Sequence, residues 1–461
     1  VLNTSNQVLA QIDLPGYFGK FNPVFYYHRG GGVESNLMAI NEADGWLYFV
    51  APNLNIYRVS LSNDSITKCF NRPGKIEHFQ SLTSYCVLKY DPVKQRIYWL
   101  VEGRNEHVNQ PGNFHTRDTY IGLLEVSANG ESMSVYREEL INVYFDDYFQ
   151  TAFDIEYNEL NDLFYVARKK KIQIYDWTNL GTEETWIPIN TLKTTPGKIG
   201  QLLYIKESGI HKIIGLPFRL PYTTILGIPA YFEPPLETDI KFYVIDGNNN
   251  SFDSIIAPSK RITDAIYLNQ NQDLILSYSS DDAMIQSNVP SGSDIAVYSY
   301  NPASQEFSDY PTFCYTNTVF SPNVYTSTFD KNRPLQLIEE NGSSFLVSKT
   351  HDIVSVNSSY QVNEIHRGDG NIFSKGIITG AKRFIINLAN PGLEVFDNYY
   401  NHESIRTGFP VYNITSNPID RKLYFFNQLY TVNAGFYIYD MDADYLINVN
   451  TDNVTTNDFP R

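Results

Sequence analysis

The sequence contains few cysteines and methionines and no long apolar run. It has 461 residues but only 3 Cys and 4 Met, and no stretch approaches the roughly 20 consecutive apolar residues that a membrane-spanning helix needs. Cys69, Cys86 and Cys314 are widely spaced and form no CxxC pair, which excludes a fold built on disulfides. We therefore expect three buried thiols, with a single disulfide as the alternative, and no membrane span.

Positive charge is also scarce. Lys and Arg number 35 against 51 Asp and Glu, the net charge is -16, and the longest basic run is residues 168–171. Proteins that bind nucleic acids or anionic membranes need clustered basic residues to neutralise phosphates. The composition argues against both classes of partner and favours cationic or neutral ones.

What the sequence does contain is aromatic residues in a repeated pattern. Tyr and Phe number 35 and 28, and their broad rings favour the half-buried surface of a β-sheet. In the first copy, strand-like residues 37–40, 46–50, 56–61 and 66–70 are separated by polar turns at 41–45 and 62–65. Runs of this kind, bounded by turn residues, predict a four-stranded antiparallel unit. The pattern recurs eight times along the chain.

Such a unit is apolar on both faces and must be covered by its neighbours, which predicts a ring of stacked sheets. We therefore predict an all-β chain that folds as a β-propeller of four-stranded blades, with eight blades, or seven if one irregular unit is not a blade. The predicted domains are an N-terminal segment, residues 1–35, and the propeller, residues 36–461. Residues 8–14 are a candidate strand that pairs with the last blade and closes the ring, because closure removes exposed sheet edges.

The blades resemble those of a known superfamily. Residues 46–50 (WLYFV) precede residues 56–61 (IYRVSL), and Tyr90-Asp91-Pro92 precedes residues 97–100 (IYWL). These strings resemble the blades of the YWTD and NHL-like propellers, which occur in extracellular receptors and secreted enzymes. No copy carries an intact Tyr-Trp-Thr-Asp. The resemblance implies a propeller that works outside the cell.

Export is also favoured by the start of the sequence and by its sequons. The first residue is Val1 rather than Met, as expected after removal of an export segment or in a trimmed chain. Seven Asn-X-Ser/Thr sequons are present, close to the roughly six that chance gives in so asparagine-rich a chain. We expect a secreted glycoprotein with a glycan on at least one of five sites: Asn63, Asn249, Asn341, Asn357 and Asn413.

The long insertions are the best indication of a binding surface. They cover residues 103–119, 217–239, 279–294 and 310–334, and loops of this length are usually functional or disordered. In a propeller, connections of these kinds open on one face. Residues 217–239 are too apolar for a solvated linker, so they pack as a lid over the channel or present Tyr222, Tyr231 and Phe232 to a partner.

Two sets of polar residues are weaker candidates for a site. His107, His115, Arg117 and Asp118 lie in the insertion of the second repeat, residues 103–119, where they are a metal or acid-base set or simply solvated. Asp281 and Asp282 are candidate Ca²⁺ ligands at the channel mouth. Adjacent residues of a strand point to opposite faces, so this pair needs further ligands.

These observations favour a secreted, extracellular binding or assembly propeller without catalytic activity and with no firmly indicated cofactor. Its partner would be a protein or a small-molecule ligand on the long-loop face, and self-association is compatible with the sequence. Two alternatives stay open. One is a calcium-dependent hydrolase or lyase with its site at the channel mouth, and the other is a structural subunit of an extracellular coat or filament.

Overall fold

The fold is described from a computed structural model. The structure describes residues 12–14, 38–50, 56–70, 85–105, 116–126, 133–143, 152–168, 171–182, 185–194, 199–217, 223–225, 228–230, 241–256, 262–268, 273–278, 295–308, 313–315, 336–340, 343–347, 353–356, 362–366, 376–379, 382–387, 392–396, 402–405, 411–417, 422–427, 434–440 and 445–447.

Eight sheets of four or five strands follow one another along the described part of the chain. The first strand, β1 (Ile12–Leu14), belongs to the last sheet. Sheet 1 comprises β2 (Met38–Asn41), β3 (Trp46–Val50), β4 (Ile56–Ser60) and β5 (Ile66–Phe70). Sheet 2 comprises β6 (Tyr85–Asp91), β7 (Arg96–Asn105), β8 (Thr116–Val126) and β9 (Met133–Val143).

The next two sheets carry small additions. Sheet 3 comprises β10 (Ala152–Tyr157), β11 (Leu163–Arg168), β12 (Lys171–Asp176), a 3-10 helix (Trp177–Asn179), a hairpin of β13 (Gly181–Thr182) and β14 (Thr185–Trp186), and β15 (Asn190–Lys193). Sheet 4 comprises β16 (Ile199–Glu207), β17 (Ile210–Pro217), a hairpin of β18 (Thr223–Ile225) and β19 (Ile228–Ala230), β20 (Lys241–Asp246) and β21 (Phe252–Ile256).

The last four sheets repeat the same order. Sheet 5 comprises β22 (Ile262–Leu268), β23 (Asp273–Tyr278), β24 (Ile295–Asn301), β25 (Glu306–Phe307) and β26 (Phe313–Tyr315). Sheet 6 comprises β27 (Gln336–Glu340), β28 (Ser343–Val347), β29 (Ile353–Val356) and β30 (Val362–His366). Sheet 7 comprises β31 (Gly376–Thr379), β32 (Lys382–Asn387), β33 (Gly392–Phe396) and β34 (His402–Ile405). Sheet 8 comprises β35 (Val411–Asn417), β36 (Lys422–Asn427), β37 (Ala434–Asp440) and β38 (Tyr445–Ile447).

The sheets fall into two units. One contains sheets 1, 2, 7 and 8 within Val1–Phe21, Ser35–Phe145 and Ser374–Arg461, and the other contains sheets 3 to 6 within Asn22–Glu34 and Asp146–Phe373. The repeated four-stranded antiparallel sheet that the sequence predicts is therefore confirmed.

In the first unit, sheets 1 and 8 share an aromatic core. Strand β3 is buried on both faces from Leu47 onwards, as expected for a strand with a neighbouring sheet on each side. Phe49 stacks on Phe436 of β37 with their ring centroids 4.5 Å apart. Burial of each large apolar side chain contributes about 1.5 to 3 kcal/mol, so contacts of this kind hold neighbouring sheets together.

In the second unit, sheets 3 and 4 share a core of their own. Strand β11 is buried along its whole length, and Tyr165, Ile174 and Ile213 belong to one buried cluster. The first strands of these two sheets, β10 and β16, pack side by side. In this unit the chain therefore runs from the first strand of sheet 3 to the fourth and then returns beside the first strand to begin sheet 4.

The short turns lie at one end of the strands of each sheet, because antiparallel order places the first–second and third–fourth connections together. We call this the short-turn edge, and the opposite edge, which holds the second–third connection, the insertion edge. In these two names 'edge' means such an end of the strands, not an outer strand. Several turns end in a residue of positive φ: Gly45, Asp64, Gln95, Asn250 and Gln305. A left-handed residue at this point is typical of hairpin loops of three to five residues.

The structure corrects three predicted loops. Strands β7 and β8 continue into residues 103–119, with Gly103 paired to Asp118 and Asn105 paired to Thr116. Residues 217–239 contain the β18–β19 hairpin. Residues 310–334 contain β26, which pairs with β24. Backbone hydrogen bonds hold such a ladder and need no alternating apolar pattern, so the sequence did not predict these strands.

The structure also bears on the expectations about the cysteines and about a membrane span. Cys69 lies in the fourth strand of sheet 1 and Cys86 in the first strand of sheet 2, as the repeat predicts. Within the described ranges, no helix is both long and apolar enough to cross a membrane.

Candidate functional site

Most of the predicted site residues lie outside the described residues. These are Tyr222, Tyr231, Phe232, His107, His115, Asp281 and Asp282. Arg117 and Asp118 are described as backbone and lie in strand β8, not in a loop. The predicted binding and calcium residues therefore stay predictions, and the statement that Arg117 and Asp118 are loop residues is wrong.

The structure does show what kind of segment carries the aromatic candidates. The β18–β19 hairpin pairs Thr223 with Ala230 and Ile225 with Ile228, between the second and third strands of sheet 4. Tyr222 directly precedes this hairpin in the sequence, and Tyr231 and Phe232 directly follow it. The connection between β17 and β20 is thus an insertion with secondary structure of its own at the insertion edge of sheet 4.

The short-turn edge of sheets 3 and 4 holds the best-described polar cluster. Asn158, which is 1% exposed, donates its side-chain amide to the carbonyl of Gly247 at 2.7 Å. Tyr165 donates its hydroxyl to the side chain of Asn250 at 3.0 Å. A β-carbon on Gly247 would lie 3.1 Å from the side-chain nitrogen of Asn158 in sheet 3, and 3.0 Å from the carbonyl oxygen of His211 in its own sheet. Glycine therefore permits the close approach of the third–fourth turn of sheet 4 to sheet 3.

A lysine and an aspartate pair within sheet 4 at this edge. Lys212 and Asp246 are register partners on β17 and β20, and Lys212 Nζ lies 2.6 Å from Asp246 Oδ2. Burial alone would raise the pKa of Asp246, but the hydrogen bonds from Lys212 and from Asn248 hold that pKa below its usual value. Asp246 therefore stays ionised at neutral pH and acts as an acceptor, not as an acid.

A tyrosine and a histidine meet beside this pair. The hydroxyl of Tyr204 contacts Nδ1 of His211, which is 6% exposed, and Lys206 forms an ion pair with Glu159 nearby. Burial and the charge of Glu159 raise the pKa of Tyr204 well above its usual value. Tyr204 stays protonated, so the geometry suits hydrogen-bonded packing of two sheets rather than proton transfer.

The sequons are only partly described. Asn63 and Asn249 are exposed, and their side-chain oxygens accept the backbone N–H groups of Ser65 and Ser251 at 3.0 and 2.7 Å. Asn413 lies in β35 at a register shift between Tyr412 and Ile414, rather than in a loop. Asn341 and Asn357 lie outside the described residues. Glycosylation of all five stays a prediction.

Metal binding is tested only where side chains are described. Among those residues, no group of three or more His, Cys, Asp or Glu side chains is arranged to hold a metal ion. The calcium candidates Asp281 and Asp282 are not among them.

Sequence reasoning missed the polar cluster at the short-turn edge. Asp64 and Asn250 occupy the same position in the third–fourth turns of their sheets. Each is contacted by the second strand of a neighbouring sheet in its own unit. Lys422 of sheet 8 contacts Asp64 at 2.8 Å, and Tyr165 of sheet 3 contacts Asn250. Aligning the repeats with one another would have shown this recurrent turn, although not the residue that contacts it.

Comparison with known proteins identifies the fold. No protein family matches the sequence, and no curated protein matches it either. The C-terminal WD40 domain of Sif2 superposes with a TM-score of 0.52 at 10% identity, over 94% of this chain and 99% of that one. Sqt1 of Saccharomyces cerevisiae gives a TM-score of 0.56 at 7% identity, over 96% and 99%.

An enzyme is also among the similar structures. The dihydro-heme d1 dehydrogenase NirN, in complex with DHE, gives a TM-score of 0.54 at 7% identity, over 95% of this chain and 77% of that one. Identities this low show the fold alone. The chain therefore folds as a β-propeller, and the choice between binding and catalysis must be argued from its own residues.

Proposed function

We propose that this chain is a secreted, eight-bladed propeller that binds a protein partner through the insertion of its fourth sheet. The blade number is supported by the eight sheets of the described residues. Ring closure is supported by the pairing of β1 with β37, which joins the two ends of the sequence in sheet 8. Kinship with the YWTD and NHL-like propellers is supported by the aromatic strings in β3, β4 and β7.

The observation that carries the binding proposal is the apolar insertion between β17 and β20. It contains a short hairpin, which is flanked in the sequence by Tyr222, Tyr231 and Phe232. Aromatic residues dominate the energetic centres of protein interfaces, and an exposed apolar patch usually marks such an interface. An insertion of this composition, at the edge of a sheet that is otherwise complete, is better suited to a partner than to the propeller core.

The experiment compares two double variants. Tyr231→Ser with Phe232→Ser removes the proposed anchors. Ile187→Ser with Ile189→Ser removes two exposed apolar side chains, 66% and 49% exposed, from the third–fourth connection of sheet 3. A partner is first isolated from the native source on immobilised wild-type protein, and its dissociation constant is then measured for each variant. We expect the aromatic variant to bind the partner about 2 kcal/mol more weakly, roughly a 30-fold higher dissociation constant, and the isoleucine variant to bind as wild type does.

Other outcomes would replace this proposal. Equal binding by the aromatic variant and wild type would remove the insertion from the interface. Sedimentation velocity that shows wild type as an oligomer and the variant as a monomer would make the partner a second copy, as a coat or filament subunit requires. The enzyme would be favoured by a catalytic activity that His115→Ala or Asp118→Ala abolishes. Added Ca²⁺ should not restore that activity in either variant.

Secretion has its own test. Asn63 and Asn249 are the sequon residues with exposed, described side chains, so they are the first sites to examine for glycan. Mass spectrometry of the native protein should find glycan at one or both. Unmodified asparagine at every sequon would argue against export.

A further inference from the structure

Arg58 is a buried cation that stacks on an aromatic ring. It lies in β4 and is 4% exposed. Its guanidinium carbon lies 3.9 Å from the ring centre of Trp46, in a cation–π contact. Neither Nε nor Nη1 has a hydrogen-bond partner among the residues that the structure describes. The stacking covers one face of the guanidinium but satisfies none of its N–H groups.

This arrangement is unfavourable for the protein by itself. A buried donor without an acceptor costs free energy, and a buried charge without a partner costs more. Arg168 in β11 offers a comparison, because it is equally buried at 4% but donates Nη2 to the hydroxyl of Tyr175 at 3.0 Å. The chain has a net charge of -16 and 51 Asp and Glu residues, yet no described carboxylate accepts a hydrogen bond from Nε or Nη1 of Arg58. Because no described residue accepts a hydrogen bond from Nε or Nη1, the position of Arg58 suits an acceptor supplied by a ligand.

The surroundings suit a small ligand that enters from the short-turn edge of sheet 1. Trp46 is the first residue of β3, directly after the turn that ends at Gly45, and it is only half-buried. Arg58 lies two residues before the end of β4. Its cross-strand neighbour on β5, Thr67, is exposed. The guanidinium thus stacks on a half-buried ring and lies across from an exposed residue of β5.

We propose that Trp46 and Arg58 form a binding site for a small oxyanion, either a carboxylate or a tetrahedral phosphate or sulfate group. A guanidinium stacked on an aromatic ring presents its N–H groups in one plane, which matches the oxygens of such anions. The site is independent of the proposed partner surface, because it lies in sheet 1 whereas the aromatic insertion leaves sheet 4.

The first experiment measures thermal stability against anion concentration at constant ionic strength, with chloride as the reference. Acetate, inorganic phosphate and sulfate are titrated separately, so that the carboxylate and tetrahedral anions are distinguished. We expect at least one of them to raise the Tm of wild type by a few degrees, about the effect of a ligand at many times its Kd. Arg58→Met should abolish this rise without lowering the Tm in chloride, since it removes an uncompensated buried charge.

Arg168→Met is the matched control. It should lower the Tm, because it removes the hydrogen bond that Arg168 donates to Tyr175, but it should leave the anion response intact. Arg58→Lys keeps the charge without the planar donor set, and we expect it to lose more than about half of the response. A response of the same size in wild type and Arg58→Met would overturn the site, as would no response to any of the three anions.

The second experiment does not depend on whether a variant folds. Wild-type crystals soaked in selenate and, separately, in 4-bromobenzoate should show an anomalous peak, and selenate or the carboxylate should lie within hydrogen-bonding distance of the Arg58 guanidinium. A map with anomalous peaks only at surface lysines, and water or nothing at Arg58, would also overturn the proposal.

Discussion

At the scale of single residues, the packing between strands depends on pairs of complementary size. Trp99 of β7 is fully buried and is the register partner of Gly122 on β8. A β-carbon on Gly122 would overlap the indole of Trp99, at 2.7 Å from Cζ3. The backbone of β8 at this point therefore serves as the surface on which the indole lies, and only glycine leaves room for it.

Gly122→Ala should lower the free energy of unfolding by about 3 kcal/mol, because a closely packed interior tolerates an added methyl group poorly. Chemical denaturation measures this. Trp99→Leu in the Gly122→Ala background should cost far less than Trp99→Leu alone, since the smaller side chain relieves the overlap. Gly209→Ala is the control, because Gly209 has φ +83° and no neighbour within 4 Å, so its cost of about 1 kcal/mol should not depend on Trp99. Additive effects of the first pair would contradict the overlap.

The Lys212–Asp246 pair should make stability depend on pH. The pKa of Asp246 is below its usual value of 3.8 in the folded protein, so its contribution to stability is present above that value and is lost as the pH falls through the folded pKa. Lys212→Met should therefore lower the free energy of unfolding by about 2 kcal/mol at neutral pH, and by less than half of that near pH 3.

Lys206→Met provides the comparison, because Lys206 is 58% exposed in its ion pair with Glu159. Exposed pairs contribute little, so this variant should change stability by less than about 0.5 kcal/mol at either pH. A Lys212→Met effect that stayed constant between pH 7 and about pH 3 would mean that the aliphatic stem of Lys212, rather than its charge, stabilises the sheet.

At the scale of strands and turns, the sequence predicted best where a strand is buried. Residues 46–50 were predicted as a strand with the observed bounds Trp46–Val50, because WLYFV is continuously apolar and ends at turn residues. The extension of β7 through Gly103–Asn105 was missed because these residues carry no apolar pattern, although their backbones pair with β8. The contact of Asp64 with Lys422 was missed for another reason, since 358 residues separate the partners. One sequence contains no signal for such a contact.

Contacts from one sheet to the turn of the next should stabilise the stack of sheets. Asp64 has φ +58°, and both of its carboxylate oxygens accept hydrogen bonds from Lys422 Nζ, at 2.9 and 2.8 Å. In a double-mutant cycle, Asp64→Asn removes the charge while keeping a residue that tolerates positive φ, and Lys422→Met removes the partner. We expect a coupling energy of about 1 kcal/mol from urea denaturation, above that of an exposed pair because both side chains are largely buried.

The equivalent cycle in the second unit tests a hydrogen bond between two uncharged side chains. Tyr165→Phe and Asn250→Gly remove the hydroxyl-to-amide bond while allowing positive φ, and their coupling should be about 1 kcal/mol as well. If neither cycle shows coupling, the left-handed residue matters only for the shape of its own turn.

At the scale of the whole molecule, the outer edge of β37 is shared by strands from the two ends of the sequence. β1 pairs with Ala434–Phe436, and β38 pairs with Ile438–Asp440. Neither β1 nor β38 exceeds three residues, so neither alone covers the edge of a seven-residue strand. An uncovered edge exposes backbone donors and acceptors and invites pairing with other chains. Sheet 8 is therefore complete only when β1 is in place, although β1 is separated from β37 by almost the entire chain.

Removal of residues 1–14 should therefore weaken sheet 8 specifically. In hydrogen-exchange mass spectrometry, we expect faster exchange in a peptide that spans residues 434–436, together with a lower Tm and more aggregation on heating, because the edge of β37 loses its backbone partners. Removal of residues 1–11 is the matched control, since it leaves β1 (Ile12–Leu14) intact and should keep wild-type protection. Sheets of the other unit, such as sheet 4, should keep their exchange rates in both truncations. Unchanged protection at residues 434–436 after removal of residues 1–14 would mean that β1 does not complete sheet 8, and the proposal that the N-terminal strand closes the ring would have to be abandoned.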